Sequence, residues 1–422
     1  MIQKARLFIT SIKVGLFLAI RDIRRASIWT TVLITFVMTL TFLNLIVVRG
    51  ILVGLTQGSV EAYRERYTGD VFLTTLDQKQ YIDDSHVTIG LAKNLSTVRA
   101  SSARYVTKGS LEANYKIPKV GDEEIDKAPG IIVGINPSDE DSTTGLSQLL
   151  IKGSYLDGGQ RNQVIVGASL LKKYSAVVNA GDSLLKDADV GTTVRLTVND
   201  TVREVVIVGV LKAKINEIDS RVFMLDRELR PMMGRNDFNV NEIAIKAKNP
   251  TDDVIIKTIF LGNEADKTAK VQTWVEAQPQ FVRDISATFS ILGDLIGSIG
   301  IVVASITIFI VIFVNAITRR KFIGILKGIG INALAIESSY VFQSLFYAIC
   351  GTGIGMVVIY GLLVPFFSKN PINFPFSDGI LVADLPTVLT RLFILLVATL
   401  IAGFIPARIV VKQKTLDAIL GR

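Results

Sequence analysis

The sequence predicts an α-helical membrane protein with four transmembrane helices, one plus three, and a large α+β extracytoplasmic domain inserted between helices 1 and 2. Three observations predict it. The 422 residues are 49% hydrophobic and 20% charged, with a mean hydropathy of +0.44, an apolar excess that must sit in blocks shielded from water. Those apolar residues are concentrated in four long stretches, and the basic residues behind the net charge of +8 gather at the ends of the stretches.

A bilayer takes about 20 apolar residues to cross as a helix. Residues 29–48 (WTTVLITFVMTLTFLNLIVV) carry no charge until Arg49. Residues 295–318 are likewise uncharged, with Asp294 marking the outer end. A third block has no charge between Glu337 and Lys369, longer than a simple span, which predicts tilt or a helix projecting beyond the lipid. The fourth, residues 386–407, is the weakest because Arg391 lies within it. Near an interface an arginine can snorkel to water, so the span is retained. The first block is too long, and lacks a small-residue cleavage site, to read as a removable signal peptide.

Charge placement sets the orientation. Lys4, Arg6, Lys13, Arg21, Arg24 and Arg25 precede span one; Arg319, Arg320, Lys321 and Lys327 lie between spans two and three; Arg408, Lys412, Lys414 and Arg422 follow span four. They face only Asp22, Glu337 and Asp417, so these flanks hold more than the whole net charge and the remainder is net negative. The positive-inside rule puts both termini and the central loop in the cytoplasm. Nucleic-acid binding is not expected, because the basic clusters have this simpler cause.

The segment between spans one and two, about residues 54–283, is long enough for a core of its own. The stretch TVRLTV at 193–198, a turn at Asn199-Asp200 and VREVVIVGV at 202–210 predict a hairpin. Further strands are expected at 130–135, 164–166, 221–225 and 243–247, and a short amphipathic helix at 168–174. With no cysteine in this segment, packing alone must hold it. Ahead of span one, Ala5, Phe8, Ile9, Ile12, Leu16, Ala19, Ile20 and Ile23 share one helical face, the pattern of a helix lying in the cytoplasmic interface.

Most enzymatic chemistry is excluded by what is scarce. Cys350 is the only cysteine and His86 the only histidine, which removes intrachain disulfides, His/Cys metal clusters and a histidine triad. No phosphate-binding G-x-x-x-x-G-K-[ST] loop occurs, and no H-E-x-x-H or G-x-S-x-G. His86 reads as a surface residue, and the acidic runs 83–84 and 122–124 as solvated loops. Asn44, Asn315 and Gln343 in the spans read as interhelical hydrogen-bonding groups, and Gly351, Gly353 and Gly355 as close-packing positions.

Residues 319–330 (RRKFIGILKGIG) resemble the cytoplasmic loop of bacterial ABC transporter permeases of the MacB/LolC-LolE/FtsX superfamily (type VII ABC transporters). The end of the chain, IPAR at 405–408 and LDAIL at 416–420, resembles that family's terminal elements, and VIVGASL at 164–170, Val208-Gly209, DSRVFML at 219–225 and Trp274 resemble its external domain. Phe322 and Gly328 depart from the family pattern, which has Glu and Ala there, as do Gln343, where Glu is common, and Thr415, where Pro is usual.

The resemblance implies a division into an amphipathic helix (1–27), span one (28–53), a MacB-like periplasmic core domain (54–283), span two (284–318), a coupling segment (319–336), span three (337–368), an external loop (369–385), span four (386–407) and a cytoplasmic tail (408–422). It implies a permease subunit in the bacterial inner membrane that is not itself an enzyme. ATP and magnesium would be held by a separate cytoplasmic ATPase dimer, with no cofactor on this chain. Arg320, Lys321 and Lys327 would supply charge to that ATPase, Ile323, Ile325 and Leu326 would fill its groove, and Gly324 and Gly330 would punctuate the segment. A second permease copy, membrane lipid, and a periplasmic adaptor or cell-wall hydrolase are the other expected partners. The expected function is mechanotransmission that exports or extracts a lipid, lipoprotein or other amphiphile; the alternative is an FtsX-like transducer that regulates a wall hydrolase.

Overall fold

The computed structural model describes residues 2–116, 125–175, 183–374 and 377–412. The acidic run 122–124 and the terminal element 416–420 lie outside them. The chain divides into two units: residues 1–56, 284–372 and 379–422 form the membrane unit, and residues 57–283 with 373–378 the extracytoplasmic one.

The chain opens with α1 (Ile2–Arg25) and α2 (Ile28–Tyr63), the latter continuing into a wider π turn at Arg64–Thr68. The extracytoplasmic unit then runs β1 (Val71–Thr74), α3 (Ser85–Asn94), β2 (Val98–Glu112), β3 (Lys127–Ile135), α4 (Pro137–Thr144), β4 (Leu150–Gly153), β5 (Gln163–Gly167), β6 (Thr193–Val198) and β7 (Thr201–Leu211). It continues with α5 (Asn216–Asp219), β8 (Arg221–Leu225), α6 (Asp226–Met232), β9 (Glu242–Ala247), α7 (Asp253–Gly262) and β10 (Lys270–Thr273).

Strand β2 organises this unit. Its first half pairs antiparallel with β9, in the order β10-β1-β9-β2. Its second half pairs with β3 on one side and β6 on the other. From β3 the pairing passes to β8, β5, β7 and back to β6, so six strands close a ring. Closure leaves no edge within that ring to pair with a stranger. The β3–β8 and β5–β7 pairs are parallel.

Both faces of β5 and β8 are covered. Val164, Val166, Val222 and Met224 enter one apolar cluster, while the intervening Ile165 and Phe223 enter another with Val133 and Ile135. That two-sided burial explains the unbroken apolar runs at 164–166 and 222–225. The expected hairpin is present, with Val198 opposite Thr201 and Asn199 in a left-handed turn conformation. The helix expected at 168–174 is not. Only a single 3₁₀ turn forms over Ala168–Leu170, and Leu171 bridges to Leu185. Leu170 and Leu171 are adjacent and both buried, a demand an amphipathic helix does not meet, and one turn cannot offset helix nucleation.

The membrane unit resumes with α8 (Gln280–Thr318), α9 (Arg320–Gly328), α10 (Ala333–Val358), a π turn at Ile359–Leu363, α11 (Val364–Lys369), the short strands β11 (Ile372–Phe374) and β12 (Ser377–Gly379), and α12 (Leu385–Val411). Four of its helical stretches are long and apolar enough to cross a membrane: 28–68, 280–318, 333–369 and 385–411.

Helices α1 and α2 follow one another along α10. Gly15 lies against Ala335 and Ser338, Asp22 against Gln343, Gly351 against Met38 and Thr39, and Gly355 against Phe42. Thr39 Oγ1 donates to the Gly351 carbonyl at 3.0 Å, an approach a side chain at 351 would prevent, since its Cβ would lie 2.5 Å from Met38 Cβ. Gly353, on the other face, meets open space. The first turns of α10 therefore pack on α1 rather than α2, which accounts for the length of the third apolar block. On α1 the packed stripe is small, Ser11, Gly15 and Ala19, while Ile9, Leu16, Phe17 and Ile20 stay exposed.

Candidate functional site

Helix α9 is short because Arg319 begins it and Gly328 and Gly330 end it, Gly330 in a left-handed conformation that favours glycine. Its period divides it sharply. Ile323 is 2% exposed and packs, with the partly buried Leu326, in the apolar cluster that contains Ala407, Val410 and Val411. Gly324 is buried beside it. The opposite face shows Lys321, Phe322 (46% exposed), Ile325 (52%) and Ile329 (72%).

This redistributes the roles expected for the segment. Ile323 and Leu326 serve the unit's own core, so they are not free to fill a groove on another protein. Lys327 Nζ donates to the Val411 carbonyl at 3.0 Å, at the end of α12, where a cation suits both the open carbonyls and the helix dipole. Arg320 is partly buried, whereas Lys321 and Ile325 remain on the open face. Phe322 and Ile329 join them there and were missed, although the spacing 322, 325, 329 marks one helical stripe.

The other end of α9 is also held. Arg319 Nη1 donates to Asp22 Oδ1 of α1 at 2.6 Å, and Gln343 Nε2 of α10 donates to Asp22 Oδ2 at 3.3 Å and to Ser339 Oγ at 3.4 Å. Gln343 is thus an interhelical hydrogen-bonding group, as expected, while Asn44 is exposed and Asn315 partly buried. At the outer end of the spans a second triad forms: Arg49 Nε donates to Asp294 Oδ1 at 2.8 Å, and Arg391 Nη2 donates to the same oxygen. Arg391 is therefore accommodated inside an apolar block by pairing with α8, a partner snorkelling does not require.

The extracytoplasmic unit holds its own charge cluster, of which only Arg221, within the stretch DSRVFML, lies in a segment the sequence singled out. Arg104 grips Glu140 with two bonds, Nε to Oε2 at 2.8 Å and Nη2 to Oε1 at 2.7 Å. Ser102 and Thr144 donate to the same carboxylate. Arg221 makes a second fork on Glu242 at 3.1 and 3.2 Å and donates to the Tyr67 hydroxyl at 2.8 Å, which donates on to Glu242. Arg104 reaches the Tyr67 carbonyl at 2.8 Å. Burial pushes both glutamates up, but the arginine charges and hydrogen bonds outweigh it and hold them below the usual carboxylate range. Burial, reinforced by the Glu242 charge, pushes the Tyr67 hydroxyl well up, so it stays a neutral donor. In the segment 219–225, Asp219 caps a turn by accepting from Ala213 and Lys214 N–H at 2.6 and 2.9 Å.

His86 is exposed on α3, and among the described residues no group of three or more His, Cys, Asp or Glu side chains is placed to hold a metal ion.

Comparison with known proteins bears on the C-terminal part most directly. Residues 295–415 match the family described as FtsX-like permease C-terminal. Among solved structures, the periplasmic region of MacB from Actinobacillus actinomycetemcomitans is similar at 13% identity and a TM-score of 0.34, over 51% of this chain and 97% of that one. The extracellular domain of the noncanonic ABC-type transporter YknZ from Gram-positive bacteria is similar at 12% identity and a TM-score of 0.31, over 48% of this chain and 98% of that one. No curated protein matches the sequence. The match at 295–415 spans the greater part of α8, the whole of α9 and α10, and α12, so it is this C-terminal part of the chain that is similar to FtsX-like permeases.

Proposed function

We propose that this permease converts ATP hydrolysis by a separate cytoplasmic ATPase dimer into movement of its extracytoplasmic unit, and so exports or extracts a lipid, lipoprotein or other amphiphile. One observation carries the reading: α9 presents Lys321, Phe322, Ile325 and Ile329 on an open face while its two ends are tied to α1 and α12. An exposed apolar stripe beside a lysine suits a groove on a partner, and tethered ends pass a push on to the helices behind.

ATP and magnesium then belong to the ATPase, and this chain holds no cofactor. The protein sits in the bacterial inner membrane with both termini in the cytoplasm, and it works beside a second permease copy. The apolar face of α8 formed by Leu295, Ile299, Val302, Ile306 and Ile310 is open to lipid or to that copy. A periplasmic adaptor receiving the amphiphile completes the assembly, and nucleic acid has no part in it.

The test is co-purification of this chain with a candidate cytoplasmic ABC ATPase from the same organism. Phe322→Asp with Ile325→Asp places two charges on the open face without touching the buried Ile323, and it abolishes both ATPase retention and permease-dependent hydrolysis. Unchanged retention and hydrolysis would overturn docking at α9. Loss of wall-hydrolase activation, with no amphiphile moved, would replace transport with the FtsX-like transducer.

A further inference from the structure

Asp22 lies three residues before the end of α1, among the basic residues Arg21, Arg24 and Arg25, and is the only acid on that helix. Its carboxylate does not spend itself on those neighbours. One oxygen accepts from Arg319, the residue that opens α9, at 2.6 Å, and the other accepts from Gln343, about three turns into α10, at 3.3 Å. Gln343 is buried and is steadied from its own helix by Ser339 at 3.4 Å. The Arg319 and Asp22 side chains are 36% and 19% exposed, so the pair is partly shielded from water. About three turns of α1, from Ser11 to Asp22, then lie along α10, held through Gly15 by contact and through Asp22 by charge.

We propose that Asp22 is a positioning residue that makes α1, the start of α9 and the first turns of α10 one mechanical body. A push on α9 then reaches α10 through Asp22 as well as through the chain. This role rests on the proposed coupling function but makes a separate claim: α1 is part of the moving machine rather than a passive membrane anchor. Lys327 does the corresponding work at the other end of α9, on a carbonyl at the end of α12.

The full chain, with Cys350→Ser, carries spin labels at Arg24 and Gly328, both exposed, in lipid nanodiscs. The distance distribution between the labels is narrow in the parent. It broadens at least about twofold in Asp22→Asn, and also in Arg319→Gln, which breaks the same pair from the other side. The exchange Asp22→Arg with Arg319→Asp narrows it again. An unchanged distribution in both single variants overturns the clasp, and so does an exchange that stays as broad as they are. With the ATPase present, Asp22→Asn retains the partner but lowers kcat for ATP at least about fivefold, the low end of an intersite coupling. KM for ATP is unchanged, and the exchange restores kcat. Loss of kcat without rescue marks a merely structural role and sinks the proposal. If the parent itself fails to retain the ATPase, the coupling function falls, while the distance measurement still decides the clasp.

Discussion

Arg104, Glu140, Arg221 and Glu242 in the extracytoplasmic unit are all buried, and each carboxylate is met from several directions at once. In the membrane unit Asp22 and Asp294 each stand between two partners on different helices and remain partly open, the Asp294 side chain at 53%. The two arrangements use the same chemistry for opposite ends. A carboxylate desolvated on all sides cannot release one partner without stranding the other, so the four-charge cluster fixes β2, β8, β9 and α4 in one geometry. A carboxylate with one open flank can exchange a partner for water at modest cost, which suits the helix movement proposed above.

The comparison breaks most easily at the buried cluster. Glu140→Gln leaves the guanidinium of Arg104 without its fork, and we expect a loss of about 3–5 kcal/mol in unfolding free energy, read by chemical denaturation of the purified chain. The same cluster gives a pH dependence. Glu140 and Glu242 have folded values below the ordinary 4.5, so their contribution is complete above 4.5 and is lost as pH falls below it through the lowered values. Denaturation midpoints measured downward from pH 6 should hold level and then drop in that window; the drop should be smaller in Glu140→Gln.

A smaller effect is expected at the outer triad. Asp294→Asn removes the shared acceptor of Arg49 and Arg391, at about 1.5–3 kcal/mol for hydrogen bonds to a charged group, seen as a lower melting temperature in detergent. Gly351→Ala sharpens the packing side of the comparison. A single methyl against Met38 forces α2 and α10 apart and costs about 1–3 kcal/mol. Least of all, Ile329→Ser on the open face of α9 should change stability by under about 0.5 kcal/mol. It should nevertheless weaken ATPase retention, which separates a surface kept for a partner from one kept for the fold.

Much of this was legible without coordinates. The four spans, the basic flanks and the β6–β7 hairpin each follow from local composition or a short period. Strand β2 was not. Its sequence VRASSARYVTKGSLE has no clean alternation, because its two halves pair with different strands and because Ser102 and Arg104 are buried for their charge partners rather than for apolarity. At α9 the segment was found but its faces were not, since the amino-acid types at 323, 325 and 326 are alike and only the position of α12 decides which of them turns inward.

Hydropathy, charge asymmetry and turn chemistry are carried by residues close together in the chain, so span number, expected orientation and the existence of an inserted α+β domain can be read directly from the order of amino acids. The identity of a charge's partner cannot. Asp22 and Arg319, Arg49 and Asp294, Arg104 and Glu242 are separated by hundreds of residues or by whole elements, and nothing local distinguishes them from any other acid and base. Folding alone selects those pairs, because an ion withdrawn from water must find its counter-ion among whatever the packed helices and strands bring beside it.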